Sequence, residues 1–364
     1  MATPGTKKIT VAVVYGGRSG EHSISCLSAG AVMDNLDRER FEVVPVGITR
    51  HGDWVPGTTN REELSIVEGR FPEVAPGERL SLSLSPTEAG TFRLPGGEVW
   101  AKADVIFPVL HGRFGEDGAI QGLFELSGVP YAGTGVLSAA CGMDKEFTKK
   151  IATAAGVPAT PEAVLRAGEG LSDADRERLG LPVFVKPASG GSSIGISRVE
   201  RWEDLPAALE EARASDPKVI VEAAVEGAEV ELGVLEHPDG RLEASVPARL
   251  LGTGESEEGF YGFEAKYVDD VVSAEVPADY PAPVVQDLQR LALQTFEALG
   301  CEGLARVDFF LTEEGPLFNE INTMPGFTEI SMYPKVFEAS GTPYRELLAT
   351  LVETALRRAE DRAD

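Results

Sequence analysis

Two short segments carry residues able to do chemistry together, Arg306-Val-Asp308 and Glu320-Ile-Asn322. They flank the turn signal Glu313-Glu314-Gly315, so the pattern predicts a β-hairpin. Strand side chains alternate between faces, which groups Arg306, Asp308 and Phe310 on one strand and Phe318, Glu320 and Asn322 on the other. A turn centred on Glu314 sets Asp308 opposite Glu320 and Arg306 opposite Asn322. Like charges directly opposite are destabilising unless something compensates. A hard divalent cation, Mg²⁺ first among them, would compensate by taking carboxylate and amide oxygens. A two-residue loop or a bulge would stagger the pairs. The competing reading is a solvated face with a surface ion pair. The metal reading is preferred because Phe310 and Phe318 are expected to share the face with the charges.

Other segments hold chemistry of a different kind. Lys186-Pro-Ala-Ser-Gly-Gly-Ser192-Ser193-Ile-Gly195 follows an apolar run. Its glycines free backbone N–H groups to face an anion, its serines add donors, and Lys186 could hold a phosphate. No GK[ST] follows, so it is not a Walker A loop; a plain flexible hairpin is the alternative. Gly16-Gly17 follows the first apolar run without GxGxxG, which excludes the dinucleotide fingerprint. Glu21 reads equally as a helix N-terminal acid or as a ligand-binding group at a strand's carboxyl end. His111-Gly-Arg-Phe-Gly-Glu-Asp-Gly118 has the composition of a ligand loop, or of a βα loop capping a helix at Asp117. Glu222-Ala223-Ala-Val225 could read an adenine edge through its backbone, with Glu222 and Glu229 accepting from an amine or a ribose; edge-strand polarity explains it as well. Residues 252–267 mix glycine, acid and aromatic residues, and Lys266 and Tyr267 close the stretch. That suits a lid which packs on a ligand.

These groups need a scaffold. At 364 residues the chain is expected to form two or three domains. Residues 9–15 form a near-continuous apolar run, the mark of a buried parallel strand, followed by a helix from about Ser23 to Leu36. This is the β-turn-α opening of a doubly wound domain. Strands are predicted at 41–48, 103–110, 183–186, 194–199, 218–223 and 229–235. Helices are predicted at 145–155 (capped by Asp144), 204–214, 284–299 and from Tyr344 onward. Residues 51–100, rich in Gly, Pro and charge, are expected to form surface excursions, with 80–85 as an alternating strand. Proline and glycine at 130–135 mark the main boundary. The formal charge of −26 argues against nucleic acid or an anionic membrane as a main partner. No run of 18 apolar residues occurs, and neither a secretory signal nor a zinc-type histidine spacing is seen. Cys26, Cys141 and Cys301 are scattered among small and apolar residues, as expected of reduced thiols in a cytoplasmic protein.

Seven segments in this order resemble the D-alanine–D-alanine ligases of the ATP-grasp superfamily: GGRSGEHSIS (16–25), LHGRFGEDGAIQG (110–122), MDKEFTKK (143–150), VKPASGGSSIGIS (185–197), EAKY (264–267), RVDFFL (306–311) and NEINTMPGFT (319–328). The resemblance implies an α/β (α+β) ATP-grasp fold. It would have an N-terminal doubly wound domain (1–133), a central small α+β subdomain (134–226) and a C-terminal antiparallel-sheet subdomain (227–364). It implies ATP, two Mg²⁺ or Mn²⁺ ions, two D-alanines as substrates and a homodimer, and leaves a monovalent cation open. It implies that Lys145, Lys186, Ser193 and Lys266 attend the phosphates, that Glu222, Ala223 and Val225 hold adenine with Phe310 beside it, and that Glu229 takes the ribose. Asp308, Glu320 and Asn322 would hold metal. Glu21, Ser192 and Tyr267 would form a hydrogen-bonded triad at the first D-alanine, with His111 nearby. Arg306 and the Gly326 N–H would stabilise the oxyanion, and Ser331 and Met332 would meet the second D-alanine's carboxylate. Ligases that take D-serine or a hydroxy acid second are the nearest alternative; the EAKY lid favours D-alanine. Tyr267→Phe is therefore expected to change the choice between D-alanine and D-serine more than the KM for ATP. Steady-state kinetics with both amino acids check this, and unchanged selectivity would count against the triad.

Overall fold

The computed structural model describes residues 7–190, 195–252 and 273–363. The opening strand Ile9–Gly16 pairs in parallel with Phe41–Ile48 on one side and Val105–Val109 on the other. Its alternating residues feed two cores. Val11, Val13 and Tyr15 face helix His22–Asn35, while Ala12 and Val14 face Ile120 and Phe124 of helix Ala119–Ser127. Burial on both faces is why this strand reads as continuously apolar. The flanking strands lie on opposite sides of it, so the loops leaving Gly16 and Val109 open a crevice at the strands' carboxyl ends, the position where doubly wound sheets bind ligands.

A second, antiparallel sheet runs Ser197–Val199, Val183–Pro187, Val219–Ala223, Glu162–Leu165. Helix Leu205–Ser215 covers it through Leu205, Ala208, Leu209 and Ala212. Helix Lys145–Ala154 begins where Asp144 accepts hydrogen bonds from the N–H groups of Glu146 and Phe147, and it ends before Gly156. The third sheet runs Ser273–Glu275, Ala248–Leu251, Ala228–Glu236, Leu304–Thr312, Gly315–Asn322. Val230, Leu232, Val307, Phe309 and Phe318 pack from it onto helix Ala282–Ala298. The C-terminal helix Tyr344–Ala363 returns to the first sheet, where Leu347, Leu348, Leu351 and Val352 join the core of Val11, Val13 and Phe107.

Residues 51–100 depart from the surface-excursion expectation. Leu80, Phe92, Trp54 and Trp100 help build the second face of the first sheet, and Leu64 is buried against the helix side. The alternating stretch forms only the two-residue strand Ser81–Leu82, because Pro86 opens a short 3-10 turn directly after it. In the hairpin, Arg306 faces Asn322 and Asp308 faces Glu320, as expected. The turn, however, is a two-residue loop between Thr312 and Gly315. It alone would shift every pair by one. A bulge at Asn319 absorbs that shift, so Phe309 faces Phe318 while Asp308 still faces Glu320. Phe318 consequently points away from the charges and lies edge-to-face with Phe309 at 6.1 Å, contrary to the expectation that it shares the charged face. Phe318→Ala is expected to destabilise the chain by about 3–5 kcal/mol in denaturant unfolding, the cost of a large cavity in a closed core.

Candidate active site

The charged face of the hairpin is joined by a third strand. Glu231 of Ala228–Glu236 pairs with Asp308, Gly233 pairs with Arg306, and Glu229 pairs with Phe310. Asp308 thus stands between Glu231 and Glu320, three carboxylates on adjacent strands. Arg306 answers them. Its Nε and Nη2 donate to Asp308 Oδ1 at 2.8 Å and Oδ2 at 2.7 Å, and its Nε lies 3.2 Å from Glu231 Oε2. Asn322 Nδ2 donates to Asp308 Oδ2 at 3.1 Å. Burial pushes Asp308 up to about 7 against the pull of Arg306, with Glu231 and Glu320 adding to the rise. Burial works against the Arg306 charge as well, but Asp308 and Glu231 outweigh it and hold the guanidinium protonated. The ion pair weighed as the bland alternative is therefore present here, and it is buried.

Lys145 connects this face to the second sheet. Its Nζ lies 3.3 Å from Glu320 Oε2 and donates to the Gly190 carbonyl at 2.8 Å. One helical turn on, Lys149 donates to Thr160 Oγ1 at 2.6 Å and to Glu222 Oε2, and lies 3.2 Å from Glu162 Oε2. Lys186 reaches the same Glu222 oxygen at 2.9 Å. Burial alone would raise Glu222, but the two lysines hold it down at about 2. Ala223 N–H is taken by Pro161 and Ala224 N–H by Pro182; Val225 follows them at the open end of the strand.

At the crevice of the first sheet, Glu21 is the N-cap residue of helix His22–Asn35. Gly112 beside it adopts φ +72°, a conformation that L side chains rarely take, and a Cβ there would meet the Glu21 carboxylate at 2.6 Å and displace it. Glu116 accepts from the backbone N–H groups of Gly112 at 2.6 Å and Met324 at 3.2 Å. Loss of solvent, then the charge of Glu21, pushes Glu116 up to about 8. His111 is buried, with Nδ1 at 3.1 Å from the Met324 carbonyl and Nε2 at 3.3 Å from Ser28 Oγ. That ring ties the crevice to the segment after the hairpin rather than offering a free nitrogen. The same Ser28 hydroxyl accepts from Phe327 N–H at 3.3 Å, which fixes the turn containing Gly326. The alternative reading of a cap at Asp117 does not hold: the cap residue is Gly118, and Asp117, one residue before it, accepts from Ala119 N–H. Ser331 precedes helix Met332–Ala339 and bonds Thr328 instead of capping that helix, while Met332 packs against the main core. Ser192, Ser193, Lys266 and Tyr267 lie outside the described residues.

The pattern reading passes over Glu231, Lys149, Glu116 and Ser28. Two had a signal: Glu231 shares the alternation of Glu229, and Lys149 stands one turn after Lys145. Among the described residues no group of three or more His, Cys, Asp or Glu side chains is arranged to hold a metal ion. The donors at Asp308, Glu320 and Asn322 are nonetheless all oxygen-bearing. Among the described residues, three carboxylates meet Arg306 and Lys145, an oxygen-rich set that fits a hard divalent cation.

Known proteins resemble the chain over nearly its whole length. The family model for the D-ala D-ala ligase N-terminus matches residues 10–134, and that for the D-ala D-ala ligase C-terminus matches residues 151–353. The chain is 58% identical over 361 residues to the D-alanine–D-alanine ligase of Corynebacterium efficiens, covering 99% of this chain and 100% of the relative. It is 61% identical over 357 residues to that of Corynebacterium urealyticum, covering 96% and 99%. Among solved structures it resembles the D-alanine–D-alanine ligase from Coxiella burnetii, with TM-score 0.84, 31% identity and coverage of 98% and 97%. It also resembles the VanG D-Ala:D-Ser ligase from Enterococcus faecalis, with TM-score 0.81, 32% identity and coverage of 96% and 100%.

Replacing Glu222 by Gln leaves Lys149 and Lys186 buried without their shared counter-ion, so stability at neutral pH is expected to fall by about 3–5 kcal/mol. Because the folded-state value is depressed from 4.5 to about 2, the carboxylate's contribution is fully present above 4.5 and is lost as pH falls towards 2. Unfolding curves across that window are expected to show the variant and the parent chain converging.

Proposed function

The chain belongs to the D-alanine–D-alanine ligase family, and from that premise we propose how its residues divide the ATP-dependent joining of two D-alanines for peptidoglycan precursors. A carboxylate is a poor electrophile, so one D-alanine is first phosphorylated by ATP to an acyl phosphate, and the amine of the second then displaces phosphate. Phosphoryl transfer depends mostly on positioning and charge neutralisation. Lys145 and Lys186 would hold the phosphates, with Ser193 and Lys266 covering them. Glu222, Ala223 and Val225 would hold the base, Phe310 would pack beside it, and Glu229 would take the ribose. Asp308, Glu320 and Asn322 would hold two divalent cations, which when bound draw charge from the phosphoryl oxygens.

At the acyl end, Glu21 would pair with the first D-alanine's ammonium, with Ser192 and Tyr267 completing the triad. His111 would act through the loop it anchors. Ser331 and Met332 would place the second D-alanine's carboxylate. Arg306 and the Gly326 N–H would stabilise the tetrahedral oxyanion. The Arg306 guanidinium lies beside Asp308 and Glu231, and the charge that balances Asp308 here would stand next to the reacting carboxyl. The observation that carries the reading is Lys145 Nζ at 3.3 Å from Glu320, which brings the helix proposed to meet phosphate against the hairpin proposed to hold metal. A homodimer and a cytoplasmic location belong to the same reading on the strength of the family resemblance. Domain limits at 133 and 226 also belong to it, supported by sheets whose strands fall between Ile9 and Val109, Glu162 and Ala223, and Ala228 and Asn322.

Purified protein with ATP, Mg²⁺ and D-alanine as sole amino acid is expected to release phosphate and D-alanyl-D-alanine in equal amounts. D-serine and D-lactate, offered with D-alanine, are expected to yield little mixed product. Phosphate release that does not depend on D-alanine would overturn the reading. Arg306→Met is expected to lower kcat by about 10²–10³, the usual cost of one oxyanion donor.

A further inference from the structure

The four-residue cluster behind the nucleotide site has an arrangement that the reaction alone does not require. Glu162 and Glu222 stand directly opposite each other on paired strands, a costly juxtaposition without a cation between them. Lys149 supplies that cation from helix Lys145–Ala154. Its ammonium donates to Thr160 Oγ1 at 2.6 Å and to Glu222 Oε2, and it forms an ion pair with Glu162 Oε2 at 3.2 Å. Both ends of the Lys149–Glu222 pair are 4% exposed, so neither charge can fall back on water. Lys186, the lysine expected on the phosphates, shares the same Glu222 oxygen at 2.9 Å.

We propose that Lys149 is a positioning residue that keeps Glu222 neutralised when Lys186 turns to the nucleotide's phosphates. The inference rests on the nucleotide reading above. With both lysines present the cluster is balanced, two cations against two carboxylates. If Lys186 leaves for a phosphate, Lys149 still stands between the two acids. Without Lys149, Lys186 would be the sole cation facing two buried carboxylates. Drawing it to a phosphate would strand both, and burying unpaired charge is among the most costly changes available to a folded chain. Lys149 thus acts on the substrate through Glu222 and Lys186 without touching it. The spacing of four residues from Lys145 places both lysines on one helix face: the first at the hairpin acids, the second at the base end.

The test compares Lys149→Met, Lys149→Arg and the double variant Lys149→Met/Glu162→Gln by steady-state kinetics, with unfolding curves run alongside. Lys149→Met is expected to raise the KM for ATP by roughly ten- to a hundred-fold, the weight of one charge-assisted hydrogen bond, with the KM for D-alanine little changed. Glu162→Gln in the same chain removes the excess negative charge opposite Glu222 and is expected to recover most of that loss. Lys149→Arg keeps the charge and should stay close to the parent, which preserves the test if the methionine variant does not fold. An unchanged KM for ATP in folded Lys149→Met, a KM for ATP raised as far in Lys149→Arg, or no recovery in the double variant would overturn the proposal. A parent enzyme whose phosphate release ignores D-alanine would instead overturn the functional reading.

Discussion

The structure depends on one constraint: strand Leu304–Thr312 runs between two strands that each set a carboxylate opposite Asp308. Such a row is held only if cations meet it, and two elements deliver them. Arg306 comes from the same strand two residues away and spans Asp308 and Glu231. Lys145 comes from the first turn of a helix that also packs, through Ile151 and Ala152, into the core beneath the third sheet. The bulge at Asn319 keeps Glu320 in the row while its neighbour Phe318 drops into that core. One irregularity therefore serves both the charged and the apolar face.

Two ionic clusters lie side by side and differ in their balance. Around Glu222, two lysines meet two carboxylates. Around Asp308, among the described residues, Arg306 and Lys145 meet three, and Asp308 is pushed up to about 7. A balanced buried cluster mainly holds its own members in place, whereas a deficient one favours an incoming cation. This division matches a site in which the base end is built by the protein alone and the phosphate end is completed by metal and substrate. The crevice of the first sheet is tied to both through the segment after the hairpin. His111 and Glu116 fix Met324, and Ser28 fixes Phe327.

Most of the fold was legible because it follows local periodicity. The buried parallel strand at 9–16, the capped helix from Lys145 and the hairpin all announce themselves within a dozen residues. The register at Asp308 and Glu320 was also legible, though for an incomplete reason: the assumed single-residue turn centre gave the right pairs because loop and bulge cancel. The face of Phe318 was misjudged on the same account. What could not be read was which strand lies beyond the hairpin, so Glu231 was passed over although its alternation was visible. The core contributions of Leu64, Trp54 and Phe92 were hidden because they are long-range contacts made from a segment whose composition resembles a loop. His111 was legible as a site-loop residue, but not as the anchor of a segment more than two hundred positions away.

The central claim is that carboxyl activation passes through an acyl phosphate formed beside Asp308, Glu320 and Arg306. In that reaction a carboxylate oxygen attacks phosphorus and later leaves with it. D-alanine labelled with ¹⁸O in its carboxylate, turned over with unlabelled ATP, tests this by mass analysis of the released phosphate. The account predicts that each phosphate formed in the synthesis carries one ¹⁸O atom from the substrate. Phosphate released in step with dipeptide but without the label would contradict it.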